Sequence, residues 1–201
     1  MTPPVVEIVI ALGANLGEPE AQLSAAFQEL QRLSSTPLRT SSLWSSTPDN
    51  CPPGSPRFVN AVAIATPFPG DTPESWLERL HELERQAGRR PKVVLNEARP
   101  LDLDLIVWGD VILDSPRLVL PHPRAHQRRF VLAPLAELLP DRVIAGHRRT
   151  VAELLAMAPE DPGLRRLSGG VSFQGRATVP WVPISIPPRR FNPPHPAIGS
   201  A

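Results

Sequence analysis

The sequence has only one cysteine, Cys51, among its 201 residues. A single cysteine excludes an intramolecular disulfide and any zinc site built from cysteine ligands. The apolar N-terminal run MTPPVVEIVIAL lacks a basic n-region and is interrupted by Glu7, which argues against a signal peptide and against a membrane span. We therefore expect a cytoplasmic protein that has no membrane partner.

Net charge is also nearly absent. The 21 lysines and arginines are balanced by 20 acidic residues, which gives a formal net charge of +1. Because domains that bind nucleic acid are usually much more basic, we expect no nucleic-acid partner. The basic residues are concentrated locally instead, in residues 85–92 and 124–129.

Proline, by contrast, is abundant, with 27 residues in the chain. Seven of them fall within the last 34 residues, where neither helical nor sustained strand periodicity is present. This composition predicts one domain over residues 1–160 and a proline-rich tail without stable structure over residues 161–201. Two PxxP matches in the tail, Pro180–Pro183 and Pro193–Pro196, fit ligands of proline-reading domains, although a solvated tail is the simpler interpretation.

Hydrophobic periodicity divides the first half of the chain into alternating strands and helices. Strands are predicted at residues 5–12, 38–46 and 58–66, and a fourth ends at Trp108, followed by a short hairpin at Gly109-Asp110. One helix is predicted after the first strand, and a second is capped by Thr72 and ends at Gly88. The order βαββαβ predicts an α+β, ferredoxin-like fold, with two helices covering one face of the sheet and long loops over the other.

Two further helices are predicted after this core. One lies near residues 132–139, and the other begins at Thr150, where Thr-Val-Ala-Glu fits a capping box. No internal repeat is visible, so the organisation is a single α+β domain followed by the tail.

The fourth strand carries two aspartates in the run RPLDLDLIVW. Strands disfavour aspartate, and like charges on one face repel each other. Asp102 and Asp104 share a face, about 6.5–7 Å apart at the backbone, while Leu101, Leu103, Leu105 and Val107 are predicted on the other face. Carboxylates suit Mg²⁺ that is shared with substrate phosphates, although an isolated D-x-D more often marks a solvent-facing strand.

Basic residues on both sides of the acidic pair favour a role with phosphates. Arg89, Lys92 and Arg99 precede the pair, and His122 and Arg128 follow it. Cations and guanidinium groups neutralise the charge that builds up on oxygens during phosphoryl transfer. The chain nevertheless lacks G-x-x-x-x-G-K-[ST], so a nucleotide must be held in another way.

Taken together, these motifs resemble the 6-hydroxymethyl-7,8-dihydropterin pyrophosphokinase family. The resemblance extends from about Val6 to Met157 and rests on LGANLG, STP with FVNAV, GRR, ARPLDLDL and PHPRAHQRRFVLAPLAEL, in that order. It implies a Mg²⁺-dependent enzyme of folate biosynthesis that transfers pyrophosphate from ATP to the pterin hydroxymethyl group and releases AMP. Its partners would be these small molecules, with two Mg²⁺ ions, and we expect a monomer.

The resemblance also implies roles for individual residues. Asp102 and Asp104 match metal ligands, and Arg89 and Arg99 match catalytic arginines on mobile loops. Contacts with ATP are implied for Glu84, Lys92, Arg117, His122 and Arg128. Contacts with the pterin are implied for Thr47, Pro48, Phe58, Asn60 and Phe130. In that pocket the two aromatic rings would stack the pterin and Asn60 would bind its edge.

The chain departs from the family pattern just before the acidic pair. Leu95-Asn-Glu-Ala-Arg99 stands where members often carry Arg-Trp-Gly-Pro-Arg, and Gly88-Arg-Arg-Pro replaces a common Gly-Arg-x-Arg. A catalytically weak nucleotide- and pterin-binding module of the same fold is therefore the alternative. A phosphohydrolase that uses the same aspartates is a third possibility, against which the Thr47–Asn60 match argues. Arg124 and Arg129 are interpreted as solvated residues, and Cys51 as a residue without a chemical role.

Overall fold

The structure, a computed structural model, describes residues 6–49, 51–89 and 97–168. Its elements are, in chain order, β1 (Ile8–Ala14), α1 (Pro19–Leu33), β2 (Arg39–Thr40), β3 (Trp44–Ser46), β4 (Phe58–Ala65), α2 (Pro73–Gln86), β5 (Asp102–Trp108), β6 (Leu113–Asp114), β7 (Val119–Leu120), a 3₁₀ turn (Ala125–Gln127), α3 (Arg129–Leu138), α4 (Val151–Met157) and β8 (Arg165–Arg166). No helix within these described ranges has the length and apolar character needed to cross a membrane.

The sheet has the strand order β5-β1-β4-β3-β8, with β2 also paired to β4, and every pairing is antiparallel. This order confirms the predicted α+β, βαββαβ arrangement. The single strand predicted at residues 38–46 is divided into β2 and β3. Between them, Ser41 exchanges hydrogen bonds with Val62, whose N–H donates to the Ser41 hydroxyl at 2.9 Å. The Ser41 hydroxyl thus replaces a backbone acceptor of the sheet where the strand is interrupted.

Helices α1 and α2 cover one face of the sheet, as predicted. Their apolar stripes bury Phe27, Trp76 and Leu80 completely against β1 and β5. Thr72 caps α2 through a reciprocal capping box, with Ser75 in the position usually held by an acid or amide. The opposite face is not left to loops, because α3 and α4 pack there on β1 and β4 around Val62. The prediction of helices on one face therefore applies only to the βαββαβ core.

A bulge interrupts β5 at Ile106. Val9 pairs with Val107 while Ile10 pairs with Leu105, so Ile106 has no partner of its own on β1. As a result Ile106 and Val107 both pack on the side of α3 and α4. Val107, predicted on the leucine face, is therefore on the other face. The carbonyl of Ile106 accepts the backbone N–H of His122 at 2.9 Å, which ties the loop after β7 to the sheet.

Two predictions beyond β5 need correction. A turn does occur at Gly109-Asp110, but β6 and β7 pair with each other in a separate two-stranded sheet. The segment 161–167, predicted as the start of the tail, is folded onto the domain because β8 pairs with β3 and the N–H of Leu167 donates to the Leu43 carbonyl at 2.8 Å. The tail prediction for residues 169–201 lies outside the described residues.

Candidate active site

A cavity of about 680 Å³ lies over β4 and β5 on the face that carries Asp102 and Asp104. Twelve of the residues predicted for the site line it: Thr47, Phe58, Asn60, Glu84, Arg89, Arg99, Asp102, Asp104, Arg117, His122, Arg128 and Phe130. Pro48 is not among the lining residues, and Lys92 lies outside the described part of the chain. The structure thus brings together side chains that the sequence spreads over more than eighty residues.

Asp102 is bound by two guanidinium groups. Its Oδ1 accepts hydrogen bonds from Arg89 Nη1 and from Arg99 Nη1, each at 2.8 Å. Because all three side chains are largely shielded from water, these bonds are charge-assisted interactions in a partly desolvated site. Both arginines predicted to be catalytic therefore lie at the acidic pair in this structure.

Glu84 acts on the strand that carries the acidic pair. The residue is 3% exposed, and its carboxylate accepts the backbone N–H of Leu103, which lies between the two aspartates, at 2.8 Å. It also forms an ion pair with Arg89. Burial raises the pKa of Glu84 to about 7, an effect that the Leu103 hydrogen bond and Arg89 partly offset. The described contacts thus make Glu84 a support for β5.

Asp104 faces a different group of basic residues. Its Oδ2 lies 3.8 Å from Arg128 Nη1. Burial and the neighbouring Asp102 raise the pKa of Asp104. Burial also lowers the pKa of His122, although Asp104 acts in the opposite direction. His122 Nδ1 accepts the Arg124 N–H at 3.3 Å, so a neutral ring carries its proton on Nε2.

The other end of the cavity combines aromatic rings with an amide. Phe58 and Phe130 line it, and the Arg128 guanidinium lies over the Phe130 ring at 5.5 Å from its centroid. Asn60 is 4% exposed, and its Nδ2 donates to Ser46 Oγ at 2.9 Å. A Cβ at Gly13 would lie 3.3 Å from Asn60 Oδ1, so the glycine of the GANLG loop leaves room for the amide. The orientation of Asn60 is therefore fixed by its surroundings.

Asn15 does not line the cavity, but it holds the backbone of Arg99, a role that the sequence interpretation missed. It is 3% exposed, its Oδ1 accepts the Arg99 N–H at 2.8 Å, and its own N–H donates to the Arg99 carbonyl at 3.1 Å. Its Nδ2 donates to the Pro56 carbonyl at 3.2 Å. One side chain thus ties together three loops around the cavity. An asparagine within a glycine-bracketed loop was the available signal, because its amide readily bonds backbone groups.

Some residues that do line the cavity were missed or misinterpreted from the sequence. Arg124, interpreted as solvated, lines the cavity, as do Asp49, Cys51, His81 and Gln127. Arg129 is not simply solvated, because its guanidinium donates to the carbonyls of Leu155 and Ala158, each at 3.1 Å. No periodic pattern marks these positions, since each depends on where a loop returns to the sheet.

Two carboxylates are available for a metal ion. In residues 6–49, 51–89 and 97–168 no group of three or more His, Cys, Asp or Glu side chains converges on a metal position. Mg²⁺ commonly takes only one or two protein carboxylates and completes its shell with phosphate oxygens and water. Burial and, to a smaller extent, the charge of Asp102 raise the pKa of Asp104, and a bound cation would offset both effects. Asp102 and Asp104 therefore fit Mg²⁺ bound together with a phosphate-bearing substrate.

Comparison with known proteins gives a consistent result. The family model for 7,8-dihydro-6-hydroxymethylpterin-pyrophosphokinase (HPPK) matches residues 9–140. The 2-amino-4-hydroxy-6-hydroxymethyldihydropteridine pyrophosphokinase of Pseudomonas aeruginosa is 40% identical over 169 residues, which are 82% of this chain and 99% of that protein. The protein of the same name from Haemophilus influenzae is 37% identical over 142 residues, covering 70% of this chain and 86% of that protein.

Solved structures agree at the level of the fold. A Plasmodium falciparum HPPK-DHPS triple mutant with pteroate superimposes with a TM-score of 0.57 and 14% sequence identity over 76% of this chain. The chain spans 43% of that longer protein, so the likeness concerns the fold of one part of it.

Proposed function

The chain belongs to the 7,8-dihydro-6-hydroxymethylpterin-pyrophosphokinase family, and on that premise we propose that the cavity over β4 and β5 is its active site. The protein is a transferase of folate biosynthesis that moves pyrophosphate from ATP to the hydroxymethyl group of 6-hydroxymethyl-7,8-dihydropterin and releases AMP. The observation that carries the assignment of the site is a single cavity that joins two carboxylates, several arginines and an aromatic pair.

The reaction places specific demands on these residues. The pterin hydroxyl oxygen forms a bond to the β-phosphorus of ATP, the bond from that phosphorus to the α,β-bridging oxygen breaks, and AMP leaves with that oxygen. The hydroxyl proton passes to solvent. Because an alcohol is a poor nucleophile, alignment of the reactants and neutralisation of charge should supply most of the acceleration.

The basic side chains would hold the triphosphate. Arg89, Arg99 and Arg128 lie at the two aspartates, where they can exchange a carboxylate for phosphate oxygens. A neutral His122 with its proton on Nε2 can donate one further hydrogen bond. Arg117 lies at the cavity wall and pairs with Glu78 at 3.1 Å on an exposed surface. We assign these residues to ATP because the family resemblance implies it and because each can donate hydrogen bonds to phosphate oxygens from the cavity wall.

We further propose that Asp102 and Asp104 hold Mg²⁺, with two ions expected from the family resemblance. When bound, the ions neutralise phosphate charge and polarise the phosphorus. Glu84 supports this function indirectly, since its bond to the Leu103 N–H fixes the backbone between the two ligands. The carboxylates would present their oxygens on one strand face. The two arginines that donate hydrogen bonds to Asp102 in this structure would then be available to the substrate.

The aromatic end of the cavity is assigned to the pterin. Phe58 and Phe130 can enclose a flat ring, and the fixed amide of Asn60 can bind a ring edge of donors and acceptors. Thr47 lines the same region, whereas Pro48 does not line the cavity, so a pterin contact of Pro48 has no support from its position.

An assay of AMP release tests the function against its alternatives. The protein is incubated with ATP and Mg²⁺, with and without hydroxymethyldihydropterin. AMP that forms only with the pterin supports the pyrophosphokinase. Binding of both ligands without turnover would indicate the weak binding module, which the altered Leu95–Arg99 segment favours. AMP or phosphate release that does not depend on the pterin would indicate a phosphohydrolase.

We also propose a monomeric protein of the cytoplasm. The support is the nearly balanced charge of the chain and the twelve predicted site residues that a single chain brings into the cavity. Light scattering at micromolar concentration tests the first point, since a dimer would double the mass of 21.9 kDa.

A further inference from the structure

We propose that Asp161 is a positioning residue that fixes Thr47 at the pterin end of the cavity. The inference rests on the proposed pyrophosphokinase function, and it assigns a role to the C-terminal segment that binds Thr47 and pairs with β3. Asp161 itself is not among the residues that line the cavity, whereas Thr47 is. Asp161 would therefore act on the substrate through Thr47, the cavity residue that its carboxylate binds.

Both donors of Thr47 bind the Asp161 carboxylate. The Thr47 hydroxyl donates to Oδ1 at 2.7 Å, and the Thr47 backbone N–H donates to Oδ2 at 3.2 Å. Two bonds to one carboxylate restrain the backbone and the side-chain rotamer of Thr47 together. Burial raises the pKa of Asp161, but the hydrogen bonds from Thr47 and Gly163 bring it below its usual value, so the acceptor is ionised at neutral pH.

Asp161 is in turn held in place by its own segment. The Gly163 N–H donates to Asp161 Oδ1 at 2.9 Å, and Arg57 donates both to the Gly163 carbonyl and, at 3.0 Å, to Ser45 Oγ. A Cβ at Gly163 would lie 2.5 Å from Thr47 Cγ2, so only glycine lets the chain pass this close. The segment thus packs directly against Thr47.

The strand pairing after Gly163 completes this attachment. β8 pairs with β3, whose last residue, Ser46, directly precedes Thr47. Arg166 donates to Ser42 Oγ at 2.8 Å and lies 3.5 Å from Glu137. Thr47 therefore leaves β3 at a point where the strand is held on both edges, by β4 and by β8. Without Asp161, only the strand side of Thr47 would remain fixed.

The test compares Asp161→Ala with Glu160→Ala in the full chain. Glu160 is an exposed acid one residue away, which makes it a matched control for loss of charge in this segment. We expect Asp161→Ala to weaken binding of hydroxymethyldihydropterin about tenfold or more, as the loss of charge-assisted bonds requires, and to leave ATP affinity within about twofold. Glu160→Ala should leave both affinities unchanged.

Two further variants separate positioning from general destabilisation. Asp161→Asn keeps one acceptor of similar shape and should bind the pterin with intermediate affinity, and it serves as the test if the alanine variant does not fold. In the double variant Asp161→Ala/Thr47→Val, the loss of pterin affinity should be smaller than the product of the two single losses, because both act through one contact.

The outcomes distinguish this inference from the function on which it rests. Pterin affinity unchanged in Asp161→Ala, or a parallel loss of ATP and pterin affinity that follows a lower melting temperature, overturns the positioning role while the wild-type enzyme still makes AMP. Absence of pterin-dependent AMP from the wild type overturns the proposed function and this inference with it.

Discussion

At the scale of single residues, the site is built from partly buried acidic and basic side chains that pair with one another. Asp102 accepts hydrogen bonds from two arginines, whereas the nearest approach of Arg128 to Asp104 is 3.8 Å. The two aspartates are therefore not equivalent, although they share one strand face. Removing Asp102 takes a shared acceptor away from two guanidinium groups, of which Arg89 keeps its ion pair with Glu84, and removing Asp104 relieves a repulsion.

Asp104→Ala should abolish turnover without loss of stability. We expect kcat to fall by at least about a thousandfold, and the melting temperature in metal-free buffer to stay equal or rise slightly, because the charged form of Asp104 is disfavoured in the fold. Asp102→Ala should lose activity and also some stability. Asp141→Ala, at an exposed acid, is the control. Turnover of Asp104→Ala within about tenfold of wild type, or about 1.4 kcal/mol, would contradict the metal-ligand assignment.

Arg99→Ala should lower kcat strongly and weaken ATP binding only modestly. The backbone of Arg99 is held by Asn15, so only its side chain has to move between Asp102 and the phosphates. A group that acts mainly in the reacting complex contributes to kcat more than to ground-state binding. Single-turnover rates, ATP affinity and melting are measured on one preparation. An unchanged single-turnover rate with a lower melting temperature would show that Arg99 is only a structural ion-pair partner.

Glu84 predicts how stability depends on pH. Its pKa is raised from an ordinary 4.5 to about 7, so between these values the folded protein keeps a proton that the unfolded chain releases. Stability contributed by Glu84 is therefore fully present below pH 4.5 and is lost as the pH rises towards 7, on the order of 1–3 kcal/mol. Urea midpoints in metal-free buffer should show a steeper decline for wild type than for Glu84→Gln. Equal slopes would contradict the raised pKa.

At the scale of elements, the helices on the second face of the sheet help to position residues of the site. Helix α3 begins at Arg129 and carries the cavity residue Phe130 in its first turn. Helix α4 supports α3, and it is capped by Thr150, whose side chain accepts the Glu153 N–H at 3.2 Å while Glu153 accepts the Thr150 N–H at 2.7 Å. A short helix of this kind depends on its cap and on packing.

Thr150→Ala should destabilise the domain by about 1 kcal/mol, because the Glu153 N–H loses its acceptor. For a domain of this size the melting temperature should fall by about 2–4 °C, with little change in kcat. Thr150→Ser keeps the oxygen and is the control. If the serine and alanine variants melt together, the cap contributes nothing measurable.

At the scale of the whole molecule, the end of the described chain forms the strand at one edge of the sheet. β8 extends the order β5-β1-β4-β3 by one short strand, and partly buried Leu167 packs on the main core. The boundary between domain and proline-rich tail is therefore better placed after Leu167 than at residue 160. On this division the tail would be dispensable, whereas β8 would not.

Two truncations test this boundary. A chain ending after Leu167 should keep the activity and melting temperature of the full chain. A chain ending after Glu160 loses the pairing of β8 with β3 and the Asp161 contact, and it should melt more than about 4 °C lower with weaker pterin binding. If the longer truncation product already melts that much lower, the tail docks on the domain and the boundary is wrong.

The sequence by itself determined the βαββαβ core and the acidic pair. Alternation of period two placed Asp102 and Asp104 on one strand face, and spacings of three and four identified the buried stripe of α2, because both patterns depend only on neighbouring residues. The family motifs likewise predicted most residues that now line one cavity.

Only the tertiary structure decided how these residues are held. The bulge at Ile106 shifts Val107 to the other face, Asn15 binds the backbone of Arg99, and Asp161 binds Thr47 across 114 positions of sequence. Each of these depends on two segments meeting in space, and a side-chain hydrogen bond leaves no periodic trace in either segment. Local pattern therefore predicts the face of a residue as long as the strand stays regular, whereas bulges and hydrogen-bond partners are decided when the strands and loops pack.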